Sequence, residues 1–141
     1  MQTKTTVPSK QDGEWHFLSA EGRVLGDIAT EAAKILLGKN TPTFARNTVS
    51  NEKVVVTDAA KVVLTGNKES DKTYWRHSSY PGGLRAETAA EVRTKDPRRL
   101  VERAVWGMLP TNKLRKKIMT NLYIYPSAEH PHEAQAKGGK K

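Results

Sequence analysis

The amino-acid sequence predicts a single α/β domain with a small, mostly parallel sheet. Two short apolar runs, at 15–18 and 54–57, flank a stretch in which apolar residues recur with helical spacing. A strand, a helix and a second strand make a βαβ unit, and an unbroken run of valines is typical of a parallel strand covered on both faces. With 141 residues the chain is long enough for one domain with a modest hydrophobic core.

The first half of the chain predicts three strands and one helix. A first strand covers 15–18 and ends before a turn-prone Ser-Ala-Glu-Gly segment. We expect a helix over 26–37, with Gly38 as its C-terminal cap, because its apolar residues share one helical face: Ile28, Ala32, Ile35 and Leu36. A second strand at 54–57 and a third at 62–65 follow.

The second half begins with a polar and aromatic stretch at 66–85, which is long for a bare connection and is therefore either partly a hairpin or functional. Asp96 and Pro97 predict the start of a helix over 97–109, with Asp96 as the N-cap and Pro97 at the first helical position. Asn112 is expected to cap a short basic helix that runs through Met119. The run at 122–125 predicts the last strand.

The net charge is unevenly distributed along the chain. Residues 1–60 contain seven Lys or Arg and seven Asp or Glu, whereas residues 61–141 contain seventeen and eight and so supply the whole net charge of +9. Such an asymmetry indicates that one side of the protein faces a polyanion. The alternative is a basic surface that serves solubility alone.

The sequence argues against a membrane protein, a metalloprotein and an enzyme. It has no cysteine and no apolar run of roughly 20 residues, and its polar N-terminus does not resemble a signal peptide. Neither a G-x-G-x-x-G loop, nor a GK[ST] sequence, nor a G-x-S-x-G elbow occurs. His130 and His132 have no cysteine and only Glu129 and Glu133 nearby, and they are expected to be surface histidines. His16 is expected to be buried and hydrogen-bonded, and neither a cofactor nor a small-molecule substrate is expected.

One candidate for nucleic-acid binding is a cluster of four cations within five residues: Lys113, Arg115, Lys116 and Lys117. These side chains repel one another on an isolated helix, and phosphates alongside would offset that repulsion. The alternative is a solvated helix face that binds nothing.

The second candidate is the segment 72–83, in which aromatic residues alternate with cations. It offers stacking faces such as Trp75 together with phosphate donors, and its glycines would let the backbone approach a ribose-phosphate chain. The alternative is a hairpin whose Tyr74 and Trp75 cover the edge of the core. Residue types alone do not separate these two interpretations.

Several separated segments, in the same order along the chain, resemble the ribosomal protein L13 family. They lie at 63–68, 71–72, 76–78, 80–84, 104–105, 107–110 and 129–135, and residues 25–26 with 29–30 resemble the first helix of that family. The resemblance covers 15–135. We therefore expect one domain at 15–135 after a polar N-terminal extension at 1–14. The Gly/Lys-rich composition of 136–141 predicts a flexible basic tail.

The resemblance implies a three-layer α/β/α domain that binds ribosomal RNA in the large subunit, early in assembly, beside other ribosomal proteins in the cytoplasm. The residues expected to face the RNA by resemblance are Lys68, Lys72, Arg76, His77, Tyr80, Gly82, Gly83, His130 and His132. Trp75 and the four cations at 113–117 join them for their stacking face and charge.

The chain departs from the family pattern at a few positions. Asp27 stands where a basic residue is usual, Trp106 where a lysine is usual and Arg115 where a glycine is usual, and residues 46–53 lack the usual loop pattern. Two competing hypotheses remain: an RNA-binding regulator that acts outside the ribosome, and a small nucleotide-dependent enzyme on a Rossmann-like sheet. The missing phosphate-binding loop disfavours the enzyme.

Overall fold

A computed structural model describes residues 12–138. The strands within this range are β1 (Trp15–Ser19), β2 (Lys53–Thr57), β3 (Thr73–His77), β4 (Leu84–Thr88) and β5 (Leu122–Ile124). The α-helices are α1 (Leu25–Leu36), α2 (Lys68–Asp71), α3 (Ala89–Lys95), α4 (Arg98–Met108), α5 (Arg115–Met119) and α6 (Glu133–Gly138), and a 3₁₀ turn covers Ala59–Lys61. None of the helices described is long and apolar enough to span a membrane.

The main sheet has three parallel strands in the order β1-β2-β5. Its register places Phe17 beside Val55 and Val55 beside Tyr123. The central valines of β2, at 54–56, are fully buried. This confirms the prediction of a parallel strand covered on both faces, because side chains of one strand point alternately to opposite faces.

Helices cover one face of this sheet, and the C-terminal segment lies on the other. Alternate strand residues, including Val54 and Val56, join one core cluster with the fully buried Ile28 of α1 and Leu100 of α4. On the opposite face the rings of Phe17 and its neighbours contact the chain that leads into α6. The predicted α/β class is confirmed, with the helices and the C-terminal segment as the two outer layers.

The first predicted helix and its C-terminal cap are confirmed. The amide of Gly38 donates to the carbonyl of Ile35 at 2.8 Å, and that of Lys39 to the carbonyl of Lys34 at 3.2 Å. This pair of bonds is the Schellman arrangement, which places one residue in the left-handed region. Gly38 takes that position, with φ of +74°.

The strand predicted at 62–65 is wrong. Only one bridge forms there, in which the amide of Val63 donates to the carbonyl of Arg23 and the amide of Leu25 donates to the carbonyl of Val63. The ladder stops after that bridge because the partner chain enters α1 at Leu25. An apolar β-branched run needs an extended neighbour to continue a ladder, and the segment beside 62–65 is extended only up to Val24 before it becomes helical.

The stretch 66–85 folds into the turn of α2 and most of a hairpin made by β3 and β4, as one of the two interpretations predicts. Helix α3, which follows at once, was not predicted. A capping box begins it, because the Thr88 hydroxyl accepts from the amide of Glu91 and the Glu91 carboxylate accepts from the amide of Thr88. The T-x-x-E spacing is the sequence signal for this start.

The remaining predicted boundaries hold with small shifts. Asp96 is extended and its carboxylate accepts from the amide of Arg98, while Pro97 is already helical. The side chain of Asn112 accepts from the amides of Leu114 and Arg115, one turn ahead of α5. In the predicted basic tail, 136–138 belong to α6, and 139–141 lie outside the described residues, as do 1–11 of the N-terminal extension.

Candidate nucleic-acid interface

The β3–β4 hairpin presents two faces of different chemistry. Side chains alternate along each strand, so Tyr74 and Arg76 lie on one face while Trp75 and His77 lie on the other. Tyr74 is partly buried and packs against the core, whereas Trp75 is 63% exposed. The structure thus separates the two roles that the sequence left open, because one aromatic ring covers the core edge and its neighbour faces outward.

The backbone geometry of the hairpin turn requires glycine at both Gly82 and Gly83. The amide of Gly83 donates to the carbonyl of Tyr80 at 2.9 Å, and Gly82 has φ of +71° directly after Pro81. These are the features of a type II β-turn, which favours Pro at its second position and Gly at its third. A Cβ on Gly83 would lie 2.1 Å from the Ser78 hydroxyl oxygen and 2.8 Å from the Tyr80 carbonyl oxygen. The hairpin needs these glycines whether or not RNA approaches them.

The imidazole of His77 is also engaged in this turn. Its Nδ1 accepts from the amide of Ser79 at 2.9 Å, and Ser79 has φ of +70°. Tyr80, the first residue of the β-turn, is 76% exposed. Of the predicted hairpin residues, the exposed rings and the arginine are free to contact a ligand, while His77 and the glycines shape the turn.

Two arginines face each other across the hairpin. Arg76 of β3 pairs in register with Arg85 of β4, and both are exposed. Within residues 12–138 neither arginine forms an ion pair with a carboxylate. Like charges directly opposite one another destabilise a strand pair. An anion lying along this face of the hairpin would remove that repulsion.

Tyr74 lies beneath two further cations. The Lys72 ammonium is 5.4 Å from the centroid of the Tyr74 ring, and the Arg103 guanidinium carbon is 4.9 Å from it. Burial raises the pKa of the Tyr74 hydroxyl, and the charge of Arg103 opposes this shift. The ring therefore stays neutral at physiological pH and supports both cations through its π-face.

These two cations line a cleft of about 360 Å³ with Lys68. The cleft lies between the start of α1, the residues around Val63 and the last turns of α4. In the described part of the chain none of its three cations has a carboxylate within ion-pair distance. The cleft is therefore electropositive.

Other cations nearby are neutralised by fixed partners. Arg93 holds both oxygens of Glu69 and also donates to two backbone carbonyls, while Arg99 and Lys95 share Glu87. These contacts tie α2, α3, α4 and β4 together. Among residues 12–138 the cations without a carboxylate partner include those of the cleft and the hairpin, besides separate exposed side chains such as Lys34, Lys39 and Arg46.

A third group of cations lies in α5 and in the turn that leads into it. Lys113, Lys116 and Lys117 are exposed and form no ion pair within residues 12–138. Arg115 differs, because its guanidinium lies over the indole of Trp106 at 4.0 Å and donates to the Trp106 carbonyl at 3.4 Å. Three of the four predicted cations are free, and the fourth fastens α5 to α4.

His130 and His132 lie elsewhere, over the aromatic face of the main sheet. The His132 ring is 4.9 Å from the rings of both Trp15 and Tyr123, and its Nε2 is 2.9 Å from the Tyr125 hydroxyl. Both histidines are half-buried. Both histidines lie away from the hairpin and the cleft. In their observed position they pack the third layer against the sheet.

The remaining histidine near the sheet is His16, which is 2.6 Å from a carboxylate oxygen of the nearly buried Glu52. The prediction of a hydrogen-bonded histidine is confirmed, although His16 is only partly buried and was predicted to be buried. Among residues 12–138 no three His, Cys, Asp or Glu side chains are grouped so that they could hold a metal ion.

Sequence reasoning missed Arg85 and Arg103. A helical projection of α4 would have found Arg103, because Arg99, Arg103 and Trp106 follow one another at i, i+4 and i+7 and so share a face. Arg103 and Trp106 also line a second cleft beside the first. Arg103 lines both clefts, and Arg115 stacks on Trp106 of the second cleft, so these two cations lie along the same face of α4. Arg85 was missed because its pairing with Arg76 depends on the register of the hairpin.

Comparison with known proteins gives a consistent result. Residues 13–131 match the family described as ribosomal protein L13. The chain is 44% identical over 135 residues to large ribosomal subunit protein uL13 of Chlorobium luteolum, an alignment that covers 96% of this chain and 91% of the relative. It is 47% identical to the protein of that name from Salinispora arenicola, covering 96% and 92%, and 43% identical to that from Staphylococcus aureus, covering 95% and 92%. This chain belongs to the ribosomal protein L13 family.

Proposed function

We propose that this protein is a structural, non-catalytic component of the large ribosomal subunit. In this role it binds the 23S-type ribosomal RNA, lies beside other ribosomal proteins and supports early assembly in the cytoplasm. The named relatives, the absence of enzyme motifs from the sequence and the distribution of free positive charge support this function.

The observation that carries the proposal is the contrast between paired and free cations. Several cations that lie between helices and strands have carboxylate partners, such as Arg93 with Glu69 at 2.8 Å. The cations of the cleft, the hairpin and α5 have no such partner within the described residues. A surface selected for solubility alone gains nothing from placing Arg76 opposite Arg85. A phosphate backbone, by contrast, is stabilised by such a pair.

The expected RNA contacts then divide by chemistry. Lys68, Lys72, Arg76, Lys113, Lys116 and Lys117 neutralise phosphates, with Arg85 and Arg103 added by the structure. Trp75 and Tyr80 offer exposed rings on which unpaired bases can stack. His77, Gly82, Gly83 and Arg115 contribute mainly by holding the turn and α5 in place, and contact of His130 and His132 with RNA remains a prediction.

The experiment that tests this function is reconstitution with ribosomal RNA followed by ultraviolet crosslinking. Crosslinks should form between the protein and large-subunit RNA, and the crosslinked peptides should come from β3–β4, α5 and the residues that line the cleft. Sedimentation in sucrose gradients at high salt distinguishes a ribosomal protein from an RNA-binding regulator, because a regulator that acts outside the ribosome would not remain with the large subunit. Peptides confined to the face of α1 that carries Lys34, or no crosslinks at all, would reject the proposal.

A further inference from the structure

We infer that the cleft between α1 and α4 holds one unpaired nucleotide of the bound RNA. Its base would lie against the apolar wall formed by Val63 and Met108, and its phosphate would contact Lys68, Lys72 and Arg103. This inference rests on the proposed RNA binding, and it specifies that the protein selects RNA with an unpaired nucleotide.

The first argument is the chemistry of the walls. Val63 and Met108 are 41% and 42% exposed, and both line the cleft with Leu64 and Ala104. A phosphate alone would leave this apolar surface in water, whereas a base would cover it. The volume of about 360 Å³ is also in the range of small-ligand sites, and a phosphate ion would occupy only part of it.

The second argument is that the three cations are held at the cleft without being neutralised. Tyr74 supports Lys72 and Arg103 from below, and the Lys68 ammonium donates to the Thr65 hydroxyl at 3.2 Å. Glu69 is bound by Arg93, and neither Asp27 nor Asp71 lines the cleft or pairs with its cations within residues 12–138. Three cations beside an apolar wall match a nucleotide, which joins an anion to a flat apolar ring system.

The third argument concerns access. Gly26 of α1 and Gly107 of α4 both line the cleft, and a Cβ built on either would meet no atom within 4 Å. The helices therefore leave open space where ordinary residues would place side chains. Met108 lies at the rim, where its sulfur is 3.3 Å from the Thr30 hydroxyl oxygen, and that hydroxyl donates to the nearer Gly26 carbonyl at 2.7 Å. A base in a paired helix would not reach between the walls, so the occupant must be unpaired.

The test uses the full chain with ¹³C-labelled methyl groups, observed by NMR. The probes are a single-stranded RNA hexamer of mixed sequence, a blunt RNA duplex of twelve base pairs and inorganic phosphate. The hexamer should shift the methyl resonances of Val63 and Met108, whereas the duplex and phosphate should leave them in place. Gly107→Leu should abolish these shifts by filling the cleft. It keeps every cation and replaces a helical glycine by a better helix former, so the fold should be retained.

A matched control is Thr94→Leu, which places the same side chain on the exposed surface of α3, away from the cleft. It should leave the hexamer-induced shifts unchanged. Charge is tested separately with Lys72→Gln against Lys39→Gln, an exposed lysine outside the cleft. Only Lys72→Gln should weaken hexamer binding, by about three- to tenfold for the loss of one charge-assisted contact.

Failure of this inference is distinguishable from failure of the proposed function. If Gly107→Leu leaves the methyl shifts intact, or if phosphate alone reproduces them, the nucleotide assignment is overturned. If that variant also binds a large-subunit RNA fragment as the unmodified protein does, the proposed function still stands. Loss of binding to the RNA fragment by the unmodified protein would instead reject the proposed function itself.

Discussion

The guanidinium of Arg115 lies 4.0 Å from the indole centroid of Trp106 and joins α5 to α4. Both residues depart from the pattern of the family that the sequence resembles, and the structure shows that they contact each other. Arg115 was predicted from charge to bind phosphate together with three lysines. Its stacking gives it a second role, which the free lysines beside it do not share.

This relationship predicts that Arg115→Ala lowers the stability of the protein by about 0.5–1 kcal/mol, as expected for an exposed cation–π pair. Urea unfolding followed by tryptophan fluorescence measures this change, and Lys116→Ala serves as the control because Lys116 is exposed and makes no such contact. Equal stability of the two variants would show that the stacking contributes nothing.

The three free lysines in α5 and in the turn that leads into it should determine part of the salt dependence of RNA binding. Changing Lys113, Lys116 and Lys117 to Ala should flatten the slope of log affinity against log salt by roughly 2–3 units, slightly less than one for each contact. Filter binding to a large-subunit RNA fragment at several salt concentrations measures the slope.

The control for this variant removes the same net charge from cations that have carboxylate partners: Arg23, Lys61 and Lys95, all to Ala. It should change the slope much less. A similar slope change in both triple variants would mean that only net charge matters, and an unchanged slope in the α5 variant would make that helix a solvated face.

The two neighbouring aromatic residues of β3 should respond in opposite ways. Tyr74→Ala should destabilise the protein by about 1–3 kcal/mol, since it removes a partly buried ring that packs against the core. Trp75→Ala should leave stability nearly unchanged but weaken binding to large-subunit RNA by about 1–3 kcal/mol, the usual contribution of a stacked base. Thermal unfolding and fluorescence titration measure the two effects. Equal RNA affinity of Trp75→Ala and the unmodified protein would contradict this assignment.

Gly83→Val should disrupt the hairpin rather than selectively alter RNA recognition. The Cβ would collide with the Tyr80 carbonyl and with Ser78. We expect loss of the cross-strand nuclear Overhauser effects between β3 and β4, with Gly66→Ala as a control that strains a different turn without a steric clash. An intact hairpin in Gly83→Val would show that the turn can rearrange.

The ion pairs of Glu87 predict a pH dependence of stability. Its hydrogen bond with Lys95, together with Arg99, lowers the pKa of the Glu87 carboxyl below its ordinary value. A lowered pKa in the folded state means that the contribution is fully present above the ordinary carboxyl pKa and is lost as the pH falls through the folded value. The stability difference between the unmodified protein and Glu87→Gln should therefore be fully present near neutral pH and become smaller as the pH falls below the ordinary carboxyl pKa. Urea unfolding at pH 7 and at pH 3 measures it, and a difference that grows in acid would contradict the prediction.

The failures of sequence reasoning have specific physical causes. The run at 62–65 has the composition of a strand but no extended partner, because the chain beside it enters α1. Helix α3 has only seven residues, too few to show a helical repeat, although its capping box was readable. Arg85 was overlooked because only the pairing register shows that it lies opposite Arg76.

The sequence by itself determined the βαβ start, the fully buried central strand, the Gly38 cap and the basic character of the second half. These features depend on local periodicity, turn chemistry and charge, which neighbouring residues specify. Only the tertiary structure decided which cations have no carboxylate partner. It also decided that two cations of the cleft contact the Tyr74 ring and that the two C-terminal histidines pack on the aromatic face of the sheet. These relationships join residues distant in the chain, and they depend on packing geometry that no short segment encodes.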